Sequence, residues 1–198
     1  MSTANSKIIL SASRRTDIPA FYLDWFIERI ERGCFDVVNP FNRRRRRIPA
    51  APRQVHSIVF WSKDYGRFLA KGTGEDLQQR GYHLFFQFTL NSPNPLLEPN
   101  VPALECRQEQ LEELSRRFGP RRVQWRFDPV CFYRTPTGGI ENNLADFARI
   151  AKFARKCGIQ HCITSMLDLY PKVLRRRPGP QFIDPPRDEK QADRKSVV

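Results

Sequence analysis

Apolar positions recur along this chain in two rhythms. The first is a set of short runs: Ile8–Ala12, Asp36–Val38, Ser57–Trp61, Leu84–Thr89, Val123–Phe127 and Cys162–Met166. Each run ends in polar or charged residues. In order these are Ser13–Asp17, Asn39, Ser62-Lys63-Asp64, Asn91, Asp128 and Asp168. A short, nearly continuous apolar run is the mark of a strand buried on both faces of a parallel sheet. The pattern predicts six strands, over Lys7–Ser11, Phe35–Val38, Ser57–Trp61, His83–Thr89, Val123–Phe127 and His161–Met166.

The second rhythm is helical. Tyr22, Trp25, Phe26, Arg29 and Ile30 keep helical spacing behind Asp17 and Pro19, which suit an N-cap and a first turn. Gly33 is placed to stop that helix. Short helices are predicted around Tyr65–Lys71 and Glu75–Gln79. A longer one over Ala103–Phe118 buries Leu104, Leu111, Leu114 and Phe118, with Gly119-Pro120 behind it. Another over Asn142–Lys156 aligns Leu144, Phe147, Ala148, Ala151 and Ala154. The polar clusters fall roughly 24 to 40 residues apart, which suits one strand–helix unit per step. Right-handed crossovers then gather all six strand ends on one face. The expected fold is α/β, a TIM-barrel-like partial (βα)6 barrel with parallel strands.

Length and composition set the outline. A chain of 198 residues is one domain with a tail. Residues 1–172 are expected to form the partial barrel. Residues 173–198, basic and Pro-containing, are expected to form a poorly ordered tail. The net charge of +13 comes mostly from 26 Arg against 8 Lys. Such an excess attracts polyanions. Five cysteines without a C-x-x-C pair argue against a disulfide framework or a metal-ligand set. The first residues have no apolar signal segment, and no run is long enough to span a bilayer. The expectation is a cytoplasmic protein with no membrane partner.

The candidate chemistry sits at the strand ends. Arg14 and Arg15, with Asp17 beside them, can clamp a phosphate or carboxylate, because guanidinium binds such groups bidentately. Lys63 offers a cation and Trp61 a stacking surface. Gln87 lies inside an apolar strand and needs a partner, which Arg126 can supply. Arg126 is costly in its strand unless paired, and Asp128 lies two residues on. Asn39 and Ser165 complete the ligand-binding set, with Asp128 and Asp168 as acid/base carboxylates. The competing reading of Arg126 and Asp128 is a structural salt bridge. His56, His83 and His161 precede strands, at the opposite, stability-bearing face, and no metal ligand is assigned. Arg43–Arg47 read as an exposed loop.

Several segments together resemble a known family. They are Ser11–Tyr22, Asn39-Pro40-Phe41, Ile58–Lys63, Trp125–Pro129 and Ser165–Tyr170. In order and content they are similar to the bacterial family labelled domain of unknown function 1848, from about Lys7 to Lys172. The resemblance implies a TIM-barrel-like core. In longer members it implies a C-terminal cysteine cluster like the iron–sulfur sites of radical-SAM-type enzymes. None of the five cysteines here matches that cluster, so no cofactor is identified in this chain. The expectation is a protein similar to that family whose Arg/Asp-lined strand ends bind a small anionic ligand. It would be the truncated remnant of a longer iron–sulfur enzyme. The alternative is a basic nucleic-acid-binding protein that uses Arg43–Arg47 and the tail.

Overall fold

The computed structural model describes residues 7–13, 15–135, 137–169 and 180–185. The elements run β1 (Ile8–Ser11), α1 (Ile18–Phe21), α2 (Leu23–Glu31), β2 (Cys34–Val38), β3 (Arg45–Pro49) and β4 (Val55–Ser62). They continue through α3 (Gly66–Ala70), α4 (Thr73–Gln79), β5 (His83–Thr89), α5 (Leu104–Phe118) and β6 (Val123–Val130). The last are β7 (Phe132–Arg134), β8 (Ile140–Asn142), α6 (Phe147–Lys156), β9 (Cys162–Met166) and β10 (Gln181–Ile183).

Five strands form one curled parallel sheet, a half-barrel, in the order β1-β4-β5-β6-β9. The α/β class stands, but the sheet has five parallel strands and not the six expected for a (βα)6 barrel. Phe35–Val38 is the segment that differs. It pairs antiparallel with Arg45–Pro49 in a separate hairpin. Phe35 alone in β2 is buried, against the rings of Trp25 and Phe26 at 5.7 and 5.2 Å. A strand with one covered face and alternating exposure suits a hairpin, not the middle of a parallel sheet. The arginine run is therefore largely a strand and not a loop.

The two faces of the half-barrel differ. The convex face carries Ile58, Phe60, Leu84, Phe86, Phe88, Trp125 and Phe127, all buried under the helices. Rings interlock there: Phe60 with Phe68 at 5.1 Å, Phe86 with Phe118 at 4.9 Å, and Phe127 with Phe147 at 5.1 Å. Aromatic pairs at such separations add to the stabilisation from burying their area. The concave face carries Val59 and Trp61, Phe85 and Gln87, Gln124, Arg126 and Asp128, none of them fully buried. The strands thus alternate beneath their apolar runs, because one face is packed and the other half-open.

A three-stranded antiparallel sheet, β10-β7-β8, follows β6. Its strand β10 lies in the stretch expected to be a tail. Residues 173–179 and 186–198 fall outside the described ones. The helix expected over Asn142–Lys156 starts at Phe147, because Asn142 ends β8 and its Oδ1 accepts the Leu144 N–H at 3.0 Å.

Candidate functional site

The parallel strands end together, as right-handed crossovers require. At the end of β4, Trp61 lies on the concave face and Lys63 follows in the loop. At the end of β6, Arg126 and Asp128 share that face. The Arg126 guanidinium carbon sits 4.8 Å from the centre of the Trp61 ring. Its Nη2 donates to Asp128 Oδ2 at 2.5 Å, and its Nη1 reaches Gln87 Oε1 at 3.5 Å. Ser165 on β9 donates its hydroxyl to Asp128 Oδ1. Residues of four strands thus join in one cluster around Arg126 and Asp128. Cation–π contact contributes about 0.5–2 kcal/mol, depending on desolvation. The Arg126 and Asp128 side chains keep 14% and 23% of their exposure, so solvent still reaches the pair.

Asp17 forms a second group. It caps α1 by accepting the Ala20 N–H at 3.1 Å. It also accepts the Ser62 hydroxyl at 2.7 Å and the Lys63 N–H at 3.2 Å. Burial pushes its carboxyl above the usual carboxylate value, against the lowering effect of those hydrogen bonds. Just before it, Ser13 adopts a left-handed φ of 69°, and its Oγ accepts the Ile18 N–H at 3.1 Å. Such a conformation costs a non-glycine residue about 1 kcal/mol or more.

A cavity of about 540 Å³ opens beside the Asp17 group. Arg15, Asp17, Phe21, Trp61, Lys63 and Val101 lie on its wall. Trp61 also carries the Arg126 guanidinium against its ring, so one side chain borders both the cavity and the Arg126 cluster. Two other depressions lie among helices, one between α2 and α4 and one beside α5, away from the strand ends. Arg15 donates to the Val38 carbonyl at 2.8 Å and has no carboxylate partner among the described residues. Lys63 is paired with Glu98.

The Pro-rich loop after β5 supplies residues that the sequence reading left out of the site. Asn91 is buried, and its Oδ1 accepts the Asp128 N–H at 3.0 Å. Its Nδ2 donates to Glu98 Oε1 at 3.3 Å and to the Asp128 carbonyl at 3.4 Å. One side chain thus ties the end of β6 to the loop that holds Glu98 against Lys63. The length and proline content of that loop were the available signal. Behind it Arg107 is buried, and burial pushes its guanidinium below the usual value. Its Nη2 reaches the Asn91 carbonyl at 3.4 Å, while Nε and Nη1 have no hydrogen-bond partner among the described residues.

The structure brings together Arg15, Asp17, Trp61, Lys63, Gln87, Arg126, Asp128 and Ser165. It does not bring in Asn39, which sits in the turn of the β2–β3 hairpin and accepts the Phe41 N–H at 2.9 Å. Asp168 follows β9, is exposed, and has no hydrogen-bond or ion-pair partner among the described residues. Arg14 lies outside the described residues. His56 and His83 sit at the opening ends of β4 and β5, their rings 4.9 Å apart, on the face opposite the site.

Among the described residues, no group of three or more His, Cys, Asp or Glu is placed to hold a metal ion. The five cysteines are free, and burial pushes the Cys131 and Cys162 thiols up to about 11. Both Asp128 oxygens are engaged, by Arg126 and Ser165. That arrangement suits a carboxylate that orients its neighbours, and no histidine stands beside Ser165 to activate it. No helix among the described residues is long and apolar enough to cross a membrane.

A family model described as "Domain of unknown function (DUF1848)" matches residues 9–197. No curated protein and no solved structure matches the chain.

Proposed function

The chain belongs to the DUF1848 family, and on that footing we propose that it binds a small anionic ligand at the strand-end face. The supporting observation is Arg126, a guanidinium fixed over Trp61 and against Asp128 on a half-open face. A cation held in place before the ligand arrives binds an anion with little further loss of entropy. Arg15, without a carboxylate partner among the described residues, is the first charge an incoming anion meets. Lys63 and Arg126 are the next, in competition with Glu98 and Asp128. Phe21 and Trp61 on the same cavity wall give the ligand an apolar surface to lie on. Asp128 and Ser165 serve to hold Arg126 in register. Asp17, with its raised carboxyl, is the group best suited to exchange a proton with the ligand.

A thermal-shift series with inorganic phosphate and with citrate tests the proposal. A ligand at one hundred times its Kd stabilises the folded state by about 2.7 kcal/mol. For a domain of this size that is a rise in Tm of about 5–10 °C. The rise is expected in the native chain and absent in Arg126→Gln. No rise with either anion, or a full rise in Arg126→Gln, would overturn the proposal.

A further inference from the structure

The β2–β3 hairpin stands apart from the parallel sheet, and the strand-end site makes no use of its charge. Its base is fixed. Phe35 packs under Trp25 and Phe26, and the Ala50 N–H donates to the Gly33 carbonyl at 2.9 Å. Arg15 ties down the ribbon nearer the turn, by donating to the Val38 carbonyl. Its outer half is a different surface. Arg43, Arg44, Arg45, Arg46 and Arg47 are all exposed. Only Arg47 has a carboxylate partner among the described residues, Asp36 at 3.1 Å across the ribbon. Pairing of Val38 with Arg45, Val37 with Arg46 and Asp36 with Arg47 sets the faces. Arg45 and Arg47 lie on one face, Arg46 on the other, and Arg43 and Arg44 close the turn. At the tip Phe41 is 95% exposed, the most exposed large apolar side chain of the described residues.

We propose that this hairpin is a DNA-binding arm that enters a groove of the duplex and contacts phosphates on both sides with Arg43–Arg46. Four unpaired guanidiniums on one short ribbon repel one another in the free protein, and a polyphosphate removes that repulsion. Arginine is the side chain best matched to phosphate oxygens. A two-stranded ribbon fits the major groove of B-form DNA, whereas the deep, narrow major groove of duplex RNA excludes it. Charge on both faces suits a groove walled by two phosphate strands better than a flat anionic membrane. A membrane would also call for a broad apolar tip, and among the described residues the turn end of the hairpin exposes only Phe41 and, less fully, Val38 as large apolar side chains. Phe41 at the tip is placed to make apolar contact with thymine methyl groups on the floor of that groove. The net charge of +13 assists the approach without setting the site.

The test is fluorescence anisotropy of a labelled 20-base-pair DNA duplex with the full chain across a salt titration. A variant with Ser at positions 43–46 keeps Arg47 and its pair with Asp36, so the ribbon register is preserved. Each phosphate contact adds about 0.9 to the slope of log K against log salt, so the variant's slope should be shallower by about 3.6. Phe41→Ser should weaken binding several-fold and leave the slope unchanged. Arg126→Gln should alter neither, which separates this proposal from the strand-end anion site. Any of three results would overturn it. One is no duplex binding by the native chain at 50 mM salt. Another is an unchanged slope in the four-serine variant. The third is tighter binding to phosphatidylglycerol vesicles or single-stranded DNA than to the duplex.

Discussion

Replacing Asn91 with Ala removes the side chain that joins the end of β6 to the Glu98 loop. Asn91 is 3% exposed, so water does not simply take its place. The change leaves the Asp128 N–H without its 3.0 Å acceptor. An unmet buried donor costs about 1–3 kcal/mol. The 3.3 Å bond to Glu98 and the 3.4 Å bond to the Asp128 carbonyl are long, and together they add about 0.5–1 kcal/mol. The expected loss is about 1.5–4 kcal/mol. In urea, with a slope near 3 kcal/mol per molar for a chain of this size, the midpoint should fall by roughly 0.5–1.3 M. The slope itself should not change, because the surface exposed on unfolding is the same. Asn91→Asp keeps the acceptor but faces Glu98 with a second negative charge, and it should be no more stable than Asn91→Ala. A loss under about 0.5 kcal/mol in Asn91→Ala would refute the reasoning, since the buried clamp would then be replaceable by solvent.

Two further predictions concern packing and pH. A Cβ at Gly74 would stand 2.2 Å from Phe118 Cζ and 2.7 Å from its Cε1. Gly74→Ala should therefore lower stability by about 1–3 kcal/mol, read as a fall in Tm, although alanine is the better helix former. Asp17 binds its proton more tightly when folded than when unfolded. Its contribution is thus fullest below the unfolded value of 3.8 and is lost as pH rises through the raised folded value. Asp17→Asn removes that loss, so the variant should gain on the native chain between pH 4 and neutrality, and a parallel pH series of urea midpoints checks it.

Much of the parallel sheet was legible in the sequence, because β1, β4, β5, β6 and β9 are apolar runs ending in polar residues. Helix α5 was legible for a similar reason: its stripe of Leu104, Leu111, Leu114 and Phe118 ends at Gly119. The hairpin was hidden. Alternation of faces cannot be read where successive residues are all arginine, so β3 looked like a solvated loop and β2 like a sixth sheet strand. Strands β7, β8 and β10 have three residues each, too few for any period to show. Within the site, the partnership of Gln87 with Arg126 was readable because an amide and a guanidinium set within apolar strands of one sheet each need a partner. Glu98 was not readable as a site residue, and Asn91, although read as a polar strand end, gave no sign of its partners. Their importance comes from distances across the fold, to Asp128 and Lys63, which sequence spacing does not carry. Asn39 was misplaced with the hairpin, since its position at a strand end holds only if that strand belongs to the main sheet.

The central claim is that Arg126 is an anion-binding group. The most direct measurement is the side-chain Nε–H resonance of Arg126 in a nitrogen–proton NMR spectrum, assigned by its loss in Arg126→Gln, during titration with inorganic phosphate. If Arg126 binds the anion, that resonance shifts saturably, with the Trp61 indole signal moving on the same curve. An Arg126 signal that stays fixed while the hairpin arginines shift, or one that drifts linearly without saturation, would contradict it.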